Sequence, residues 1–252
     1  MPPVTTAAIV LSTFPYGETS RIARLATREL GLQSVLAKGA SRPRSRFGVT
    51  LQVFTEGTAT IFPSKSSELH TLAHFEAERV RIALGERLDR FASASLLSEL
   101  MLHFAAATRQ PESFEVLRDG LALLEAAPAV AVEPLALRCL WRMVTVLGFA
   151  PELHGCARCG GDPGPGEVSF SAADGGVLCP RCARGTEGSR LRPGDRRALH
   201  ALLDPGRELP ALDDRHLAAH RRLLDRYIRF HLGEGAALPA LAFWSTRGWL
   251  AA

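Results

Sequence analysis

Four of the five cysteines constrain this chain more than any other feature. They fall as Cys156-x2-Cys159, nineteen residues, then Cys179-x2-Cys182. Two such pairs can bring four thiolates to one tetrahedral ion, and zinc suits that donor set. "CARCGG" and "CPRC" put small and turn-forming residues where the chain must wrap back on the metal. Between them "VSFSAADGGVLC" reads as a hairpin with Asp174, Gly175 and Gly176 at its tip, which is the zinc-ribbon arrangement. Four thiolates close the coordination sphere and leave no position for water or substrate. The predicted Zn2+ is therefore structural, one per chain. A segment this short and poor in large apolar residues needs such a staple to fold. Disulfides are the alternative. Nothing in the sequence points to an oxidising compartment, although the same thiols can pair once oxidised or stripped of metal. Cys139, in a helical stretch beside Leu140, reads as a small core residue.

Charge is the second constraint, through its placement rather than its size. The chain carries a net +4. Residues 1–50 hold seven Lys/Arg against two acids, a net of +5, so the other 202 residues sum to −1. The stretch "AKGASRPRSRFG" (37–48) concentrates Lys38, Arg42, Arg44 and Arg46 with no acid. Its two glycines and one proline disfavour ordinary helix. Such asymmetry points to a polyanionic partner. The plainer alternative is a solvated surface in an arginine-rich composition.

At 252 residues the chain exceeds one typical domain. Residues 4–75 read as β structure. "AAIVLSTF" is a buried-type strand. In "SRIARLAT", Ile22 and Leu25 set against Arg21 and Arg24 suggest a rough alternation. "LQSVLAKG" follows the turn at Gly31. "TLQVFTEG" and "TATIFP" are expected to form a hairpin about Glu56–Gly57, and "ELHTLAHFE" closes the set. Five or six short strands with glycine turns suggest a small barrel. From about residue 80 the apolar period becomes helical. Pro111 is placed for a first helical position, Gly148 for a helix end, and Asp213 or Asp214 for an N-cap. The expected division is a barrel over 1–79 and a helical domain over 80–252, with the cysteine-rich segment 150–190 inserted in it. The fold class is α+β and multidomain.

No apolar run approaches the ~18–20 residues of a membrane span. The first residues lack the basic region of a secretory signal. The chain is expected to be soluble and cytoplasmic, with no membrane partner. No G-x-S-x-G, Walker loop or H-E-x-x-H occurs, and no tight acidic pair accompanies the basic segment. His103, His216 and His231 read as packing or surface residues. An enzyme is not expected.

A small barrel with a cationic loop suits single-stranded nucleic acid, where cations track phosphates and aromatic faces stack on bases. Tyr16, Phe47 and Phe54 are the candidate stackers, each more simply a core residue. The segment "VLSTFPYGETSRIARLATRELG" (10–31), then "AKGASRPRSRFG" and "TLQVFT" (50–55), resembles the N-terminal module of the bacterial RecO family of recombination mediators. The YGE turn, the T-x-E-x-G step and the KGA-x-R-P loop occur in the family's order and spacing. The central helices and the four-cysteine insertion extend the resemblance over essentially the whole chain.

The resemblance implies an N-terminal OB-fold and no catalytic turnover. It also implies binding of single- and double-stranded DNA and annealing of strands coated with single-strand binding protein (SSB). Cooperation with RecR in loading RecA is implied too, with placement in the bacterial nucleoid. The family's loop lysine and following arginine correspond to Lys38 and Arg42. Arg44, Arg46, Arg21 and Arg24 complete the expected DNA-binding set. Many members carry an arginine where this chain has Ser41, which shifts the load to Arg44 and Arg46. Some members lack the four cysteines, in keeping with a structural metal.

On the last long helix Arg215, Arg222, Arg226 and Arg229 share a narrow arc, opposite Leu217, Leu224, Tyr227, Ile228 and His231. A solvated face is the simpler reading. A second contact to DNA or to an acidic peptide is the other, and family members do bind the acidic SSB C-terminal tail through the helical domain. Two rivals remain for the whole chain: a protein scaffold with little DNA affinity of its own, and a metal-dependent nuclease.

Overall fold

The computed structural model describes residues 2–48, 50–233 and 237–250. The chain divides into two compact units, 1–126 and 127–252.

The first unit opens with five strands: β1 (Val4–Tyr16), β2 (Ser20–Thr27), β3 (Gly31–Ala37), β4 (Glu56–Phe62) and β5 (Leu69–Arg79). They close into a barrel in the order β1-β2-β3-β5-β4. β3 and β5 run parallel, with Ser34 opposite Leu69 and Leu36 opposite Thr71. β4 returns antiparallel to β1 and seals the barrel, so no edge strand is left open. This is the OB fold. Alternate residues point inward, and Ala8, Val10, Ala23, Leu25, Val35, Ala59, Ile61 and Leu72 build the interior. A bulge between Val10 and Ser12 resets the parity of β1. Beyond it Thr13, opposite Ala23, points inward and Phe14, opposite Ile22, points outward.

One sequence expectation is corrected here. Glu56 and Gly57 are not a hairpin turn; they begin β4, and residues 50–55 are loop rather than strand. Gly57 is required for close approach. A Cβ there would lie 2.0 Å from the carbonyl oxygen of Glu76 on the neighbouring strand. A glycine demanded by strand packing looks in sequence like a glycine demanded by a turn.

Two helices, α1 (Leu88–Phe104) and α2 (Pro111–Ala126), complete the unit, and Pro111 does occupy the first helical position. The connection into them is fixed by Arg81, whose side chain is 1% exposed and is ion-paired with Glu56 on β4 and with Glu125 on α2. Two carboxylates, one on each terminal nitrogen of the buried guanidinium, offset its desolvation.

The second unit begins with α3 (Val132–Val146). Gly148 sits at φ +97° just past its end. Phe149 N–H donates to Val144 and Gly148 N–H to Thr145, both at 3.0 Å, which is a Schellman stop. Next comes a three-stranded sheet of β6 (Val168–Ser171), β7 (Gly176–Leu178) and β8 (Ser189–Leu191), ordered β7-β6-β8. The β6–β7 hairpin falls where the sequence places it; β8 was not anticipated. Helices α4 (Pro193–Leu203), α5 (Asp214–Leu232) and α6 (Pro239–Ser245) follow. Asp213 caps α5 by accepting from His216 N–H at 2.9 Å. The sheet is fastened to the helices by aromatic packing. The Tyr227 ring on α5 lies 5.3 Å from Trp141 on α3 and 5.6 Å from Phe170 on β6. Glu133, at the start of α3, pairs with Arg221 on α5 and with Arg247 beyond α6. Cys139 is buried in the core. No helix among the described residues is long and apolar enough to cross a membrane.

Candidate nucleic-acid interface and metal centre

The connection from β3 to β4 runs over residues 38–55 and closes one end of the barrel. It is pinned from inside: Ala40, Phe47 and Leu51 are buried in the barrel interior. It is also pinned from the side, because Ser41 N–H donates to Thr19 at 2.8 Å in the β1–β2 turn. Within the loop, Ser45 N–H donates to Arg42 and Phe47 N–H to the Ser45 hydroxyl. Gly39, at φ +71°, lets the chain bend so that the Arg42 side chain lies against it. Apolar residues thus anchor the loop, while Lys38, Arg42, Arg44 and Arg46 remain exposed. None of these four takes part in an ion pair among the described residues. Arg46 rests over the Phe47 ring, 5.1 Å from its centroid.

Arg21 stands at the same end. It lies opposite Ala37, the residue before Lys38, and shares the inward parity of Ala23 and Leu25. There it donates to the Thr13 hydroxyl at 2.7 Å across the barrel mouth. Arg24 has the other parity and points outward between Ser12 on β1 and Ser34 on β3. The structure therefore groups Arg21 with the loop and places Arg24 on the outer face of the sheet. The Nε atoms of both are buried without a hydrogen-bond partner among the described residues.

That outer face carries residues that sequence reasoning missed. Phe14, Ile22, Leu36, Thr71 and Phe62 occupy one continuous cross-strand row over β1, β2, β3, β5 and β4. The parity of their buried neighbours turns the row outward, and Phe14 and Phe62 at its ends are each 45% exposed. The β2–β3 face is the surface on which OB folds hold oligonucleotides. Of the aromatics read from sequence, Phe47 and Phe54 are buried and only Tyr16 is exposed. The bulge in β1 reset the parity, so alternation alone could not mark Phe14 as outward.

In the second unit, Cys156, Cys159, Cys179 and Cys182 converge until their Sγ atoms all lie within 4.8 Å of one another. None of the five cysteines is disulfide-bonded. The Sγ atoms of Cys159 and Cys179 are 3.9 Å apart. A tetrahedron with metal–sulfur bonds of ~2.3 Å has edges of ~3.8 Å, so the thiols stand at coordination spacing. The sequence folds this way because each pair forms a tight turn. Gly160 N–H donates to Cys156 at 2.7 Å with Gly160 at φ +71°, and Ala183 N–H donates to Cys179 at 3.0 Å. Burial opposes ionisation of Cys156, but backbone N–H groups of Cys179, Cys159 and Arg158 outweigh it and draw its thiol down to about 6. Cys182 is pushed up to about 12 by its thiol contact with Cys159 and by burial. Four thiols at this spacing suit a cation, which takes them up as thiolates. The four cysteines form a metal-binding group. Arg158 and Arg181, between the ligands of each pair, are exposed. Arg158 is bound to Asp174 and to the Cys182 carbonyl, and Arg181 lies against the Cys159 thiol.

Arg215, Arg222, Arg226 and Arg229 on α5 are exposed, and Leu217, Leu224, Tyr227 and Ile228 opposite them are buried. They differ in their partners. Arg229 pairs with Asp225 at 3.0 Å and Arg226 donates to Ser189 at 2.5 Å, whereas Arg215 and Arg222 have no ion pair among the described residues. His216 is held by Asp213, and His231 packs against Tyr227 with ring centroids 4.3 Å apart.

An OB-fold barrel with a cationic loop, followed in the chain by helices with an inserted four-thiol metal group, defines a two-part binding protein of the OB class. Models of two domains cover nearly all of it: recombination protein O N-terminal over residues 1–81 and recombination protein O C-terminal over 85–238. Among curated relatives, the DNA repair protein RecO of Anaeromyxobacter dehalogenans (strain 2CP-C) is 36% identical over 238 residues, covering 91% of each chain. That of Rubrobacter xylanophilus is 33% identical over 238 residues, covering 89% of this chain and 88% of the relative. The chain belongs to the RecO family of DNA repair proteins.

Proposed function

We propose that this protein is a recombination mediator that works by binding and not by catalytic turnover. Its barrel binds single- and double-stranded DNA and anneals complementary strands coated with SSB. With RecR it helps to load RecA, in the bacterial cytoplasm at the nucleoid. One observation carries the reading: four cations on an anchored loop, with Arg21 beside them, have no carboxylate partners among the described residues and border an outward row ending in Phe14 and Phe62. Cations there neutralise phosphates, and the aromatic faces offer stacking. Two coated strands repel one another; a surface that neutralises both lowers that repulsion, and a grip on the SSB C-terminal tail delivers it to the right place. Arg24 adds a contact on the outer face. In this reading the functional division lies near residue 80: nucleic acid belongs to 1–79, partner docking to 80–252, and the segment 150–190 braces the latter.

The metal is proposed to be one zinc ion per chain, held by Cys156, Cys159, Cys179 and Cys182. Bound there, zinc supplies structure alone, because four thiolates leave no open position.

Reversing Lys38, Arg42, Arg44 and Arg46 together to Glu tests the interface. DNA binding is expected to be lost with the melting temperature unchanged, and wild-type affinity should fall with salt as counterions are released. Unchanged affinity in the folded variant overturns the assignment. Absence of any gel shift by the wild-type chain at low salt favours the scaffold, and sustained cleavage of DNA with Mg2+ or Mn2+ favours the nuclease.

A further inference from the structure

A cavity in the second unit, between β8 and α5, has the lining of a binding site. Its volume is about 220 Å³, and it is lined by Arg190 on β8, by His220, Arg222 and Arg226 on α5, and by Asp195 on α4. Its polar lining is cationic. Arg190, Arg222 and Arg226 are exposed, against the single carboxylate of Asp195. Asp195 is itself faced by His216, 3.8 Å away. The only ion pair of Arg190 among the described residues is a long one, 3.9 Å to Glu167. Arg226 donates to the Ser189 hydroxyl on the cavity wall.

His220 is the second, independent observation. It is 1% exposed, lies on the lining, and neither ring nitrogen has a hydrogen-bond partner among the described residues. A buried imidazole without a partner forfeits the hydrogen bonds it would make in water, at a cost in stability. Apolar residues would fill the position at no such cost. The ring is explained if the cavity receives an acceptor. A neutral imidazole always offers one N–H, and the arginine forks above it suit tetrahedral oxyanions.

A neighbouring cavity of about 350 Å³ says which anion. It shares Ser189, Leu223 and Arg226 with the first and is otherwise lined by Phe170, Ala172 and Phe230 among others. The Phe230 ring is 54% exposed. A cationic hollow thus adjoins, across Arg226, one walled by Phe170 and Phe230 and also by Glu187, which matches a phosphate joined to a base. The geometry points to a site for one nucleotide of a single strand. Its phosphate is held by Arg190, Arg222, Arg226 and the His220 N–H, and its base lies against Phe230. This rests on the reading of the chain as a nucleic-acid binder, but it uses none of the barrel residues.

The test follows the His220 ring resonances of the full-length, metal-loaded protein by NMR during titration with thymidine 3′,5′-bisphosphate, and in parallel with inorganic phosphate. The bisphosphate is expected to shift the His220 signals saturably. Arg222→Ala with Arg226→Ala should weaken that binding roughly tenfold or more at unchanged melting temperature, since both side chains are exposed. Phe230→Ala should weaken the bisphosphate and not inorganic phosphate. The quadruple barrel variant should leave the His220 response intact even as it loses DNA. No shift at millimolar bisphosphate overturns the site. An equal response to inorganic phosphate overturns the nucleotide assignment. If the quadruple barrel variant keeps DNA affinity while the His220 response persists, the barrel reading fails and this site stands.

Discussion

Phe14 and Phe62 stand at opposite ends of one outward cross-strand row, on β1 and β4, with Ile22, Leu36 and Thr71 between them. Both rings are about half exposed, while Phe47 a short distance along the chain is buried. These positions give opposite expectations. Phe14→Ala and Phe62→Ala should each weaken binding of a short single-stranded oligonucleotide by up to about 1–3 kcal/mol, the worth of one stacked base, with little change in stability. Phe47→Ala should cost about 3–5 kcal/mol of stability by leaving a cavity under the cationic loop. Fluorescence anisotropy and denaturant melts on the three variants check this. Unaltered affinity in the double Phe14, Phe62 variant would remove that face from the interface.

Gly57 separates a packing glycine from a turn glycine. A Cβ at this position meets backbone of β5, which has no side chain to move aside. Gly57→Ala is therefore expected to cost about 1–3 kcal/mol, toward the upper end for an overpacked site, and Gly57→Val more. Gly166→Ala, where a Cβ meets nothing within 4 Å, should stay within about 0.5 kcal/mol of the parent. Thermal melts of the three variants test it, and a wild-type melt for Gly57→Ala would show that β4 and β5 can separate cheaply.

Much of this was legible in the sequence, and the reasons are local. The cysteine spacing forecast the metal group because knuckle geometry depends on residues only two or three apart. Gly148, Pro111 and Asp213 marked helix ends because caps are local as well. What failed depended on pairing across the chain. Nothing within "TLQVFTEGTATIF" says that residues 50–55 leave the sheet, since Leu51 and Phe54 are buried as loop residues and not as strand residues. Arg21 and Arg24 looked like companions, but three residues along a strand places them on opposite faces. The cavity above His220 joins β8 to α5, some thirty residues apart in sequence, and β8 is only Ser189–Leu191. A strand so short leaves almost no periodic trace.

The cysteine group should respond in two grades. Cys159→Ser with Cys182→Ser removes half the donors, and elemental analysis should fall from one zinc per chain to near zero. The hairpin 168–178 should then become a protease target. Arg158→Ala leaves all four thiols in place but frees the first knuckle from Asp174, to which Nε and Nη2 donate at 2.8 and 3.0 Å. An exposed ion pair braces only weakly, so zinc should still load but pass to a chelator measurably faster. Release at the parental rate would mean that Arg158 does not brace the site.

Asp213 ties stability to pH. Its carboxylate accepts the His216 N–H and also meets the His216 ring at 2.6 Å. The backbone N–H and then the ring hold the carboxyl below the usual carboxylate range. A group whose folded value is depressed stabilises the fold above its unfolded value, near pH 4, and that stabilisation drains away as pH falls through the folded value. Asp213→Ala should therefore melt below the parent at neutral pH, with the margin narrowing below about pH 4. Asp213→Asn keeps an acceptor for the N–H and should recover most of the margin at neutral pH without its acid dependence. Taking differences between variants removes the separate effect of acid on the thiolates, because the cysteines are the same in all three. A margin that does not narrow in acid would mean that the cap works through its shape alone, without its charge.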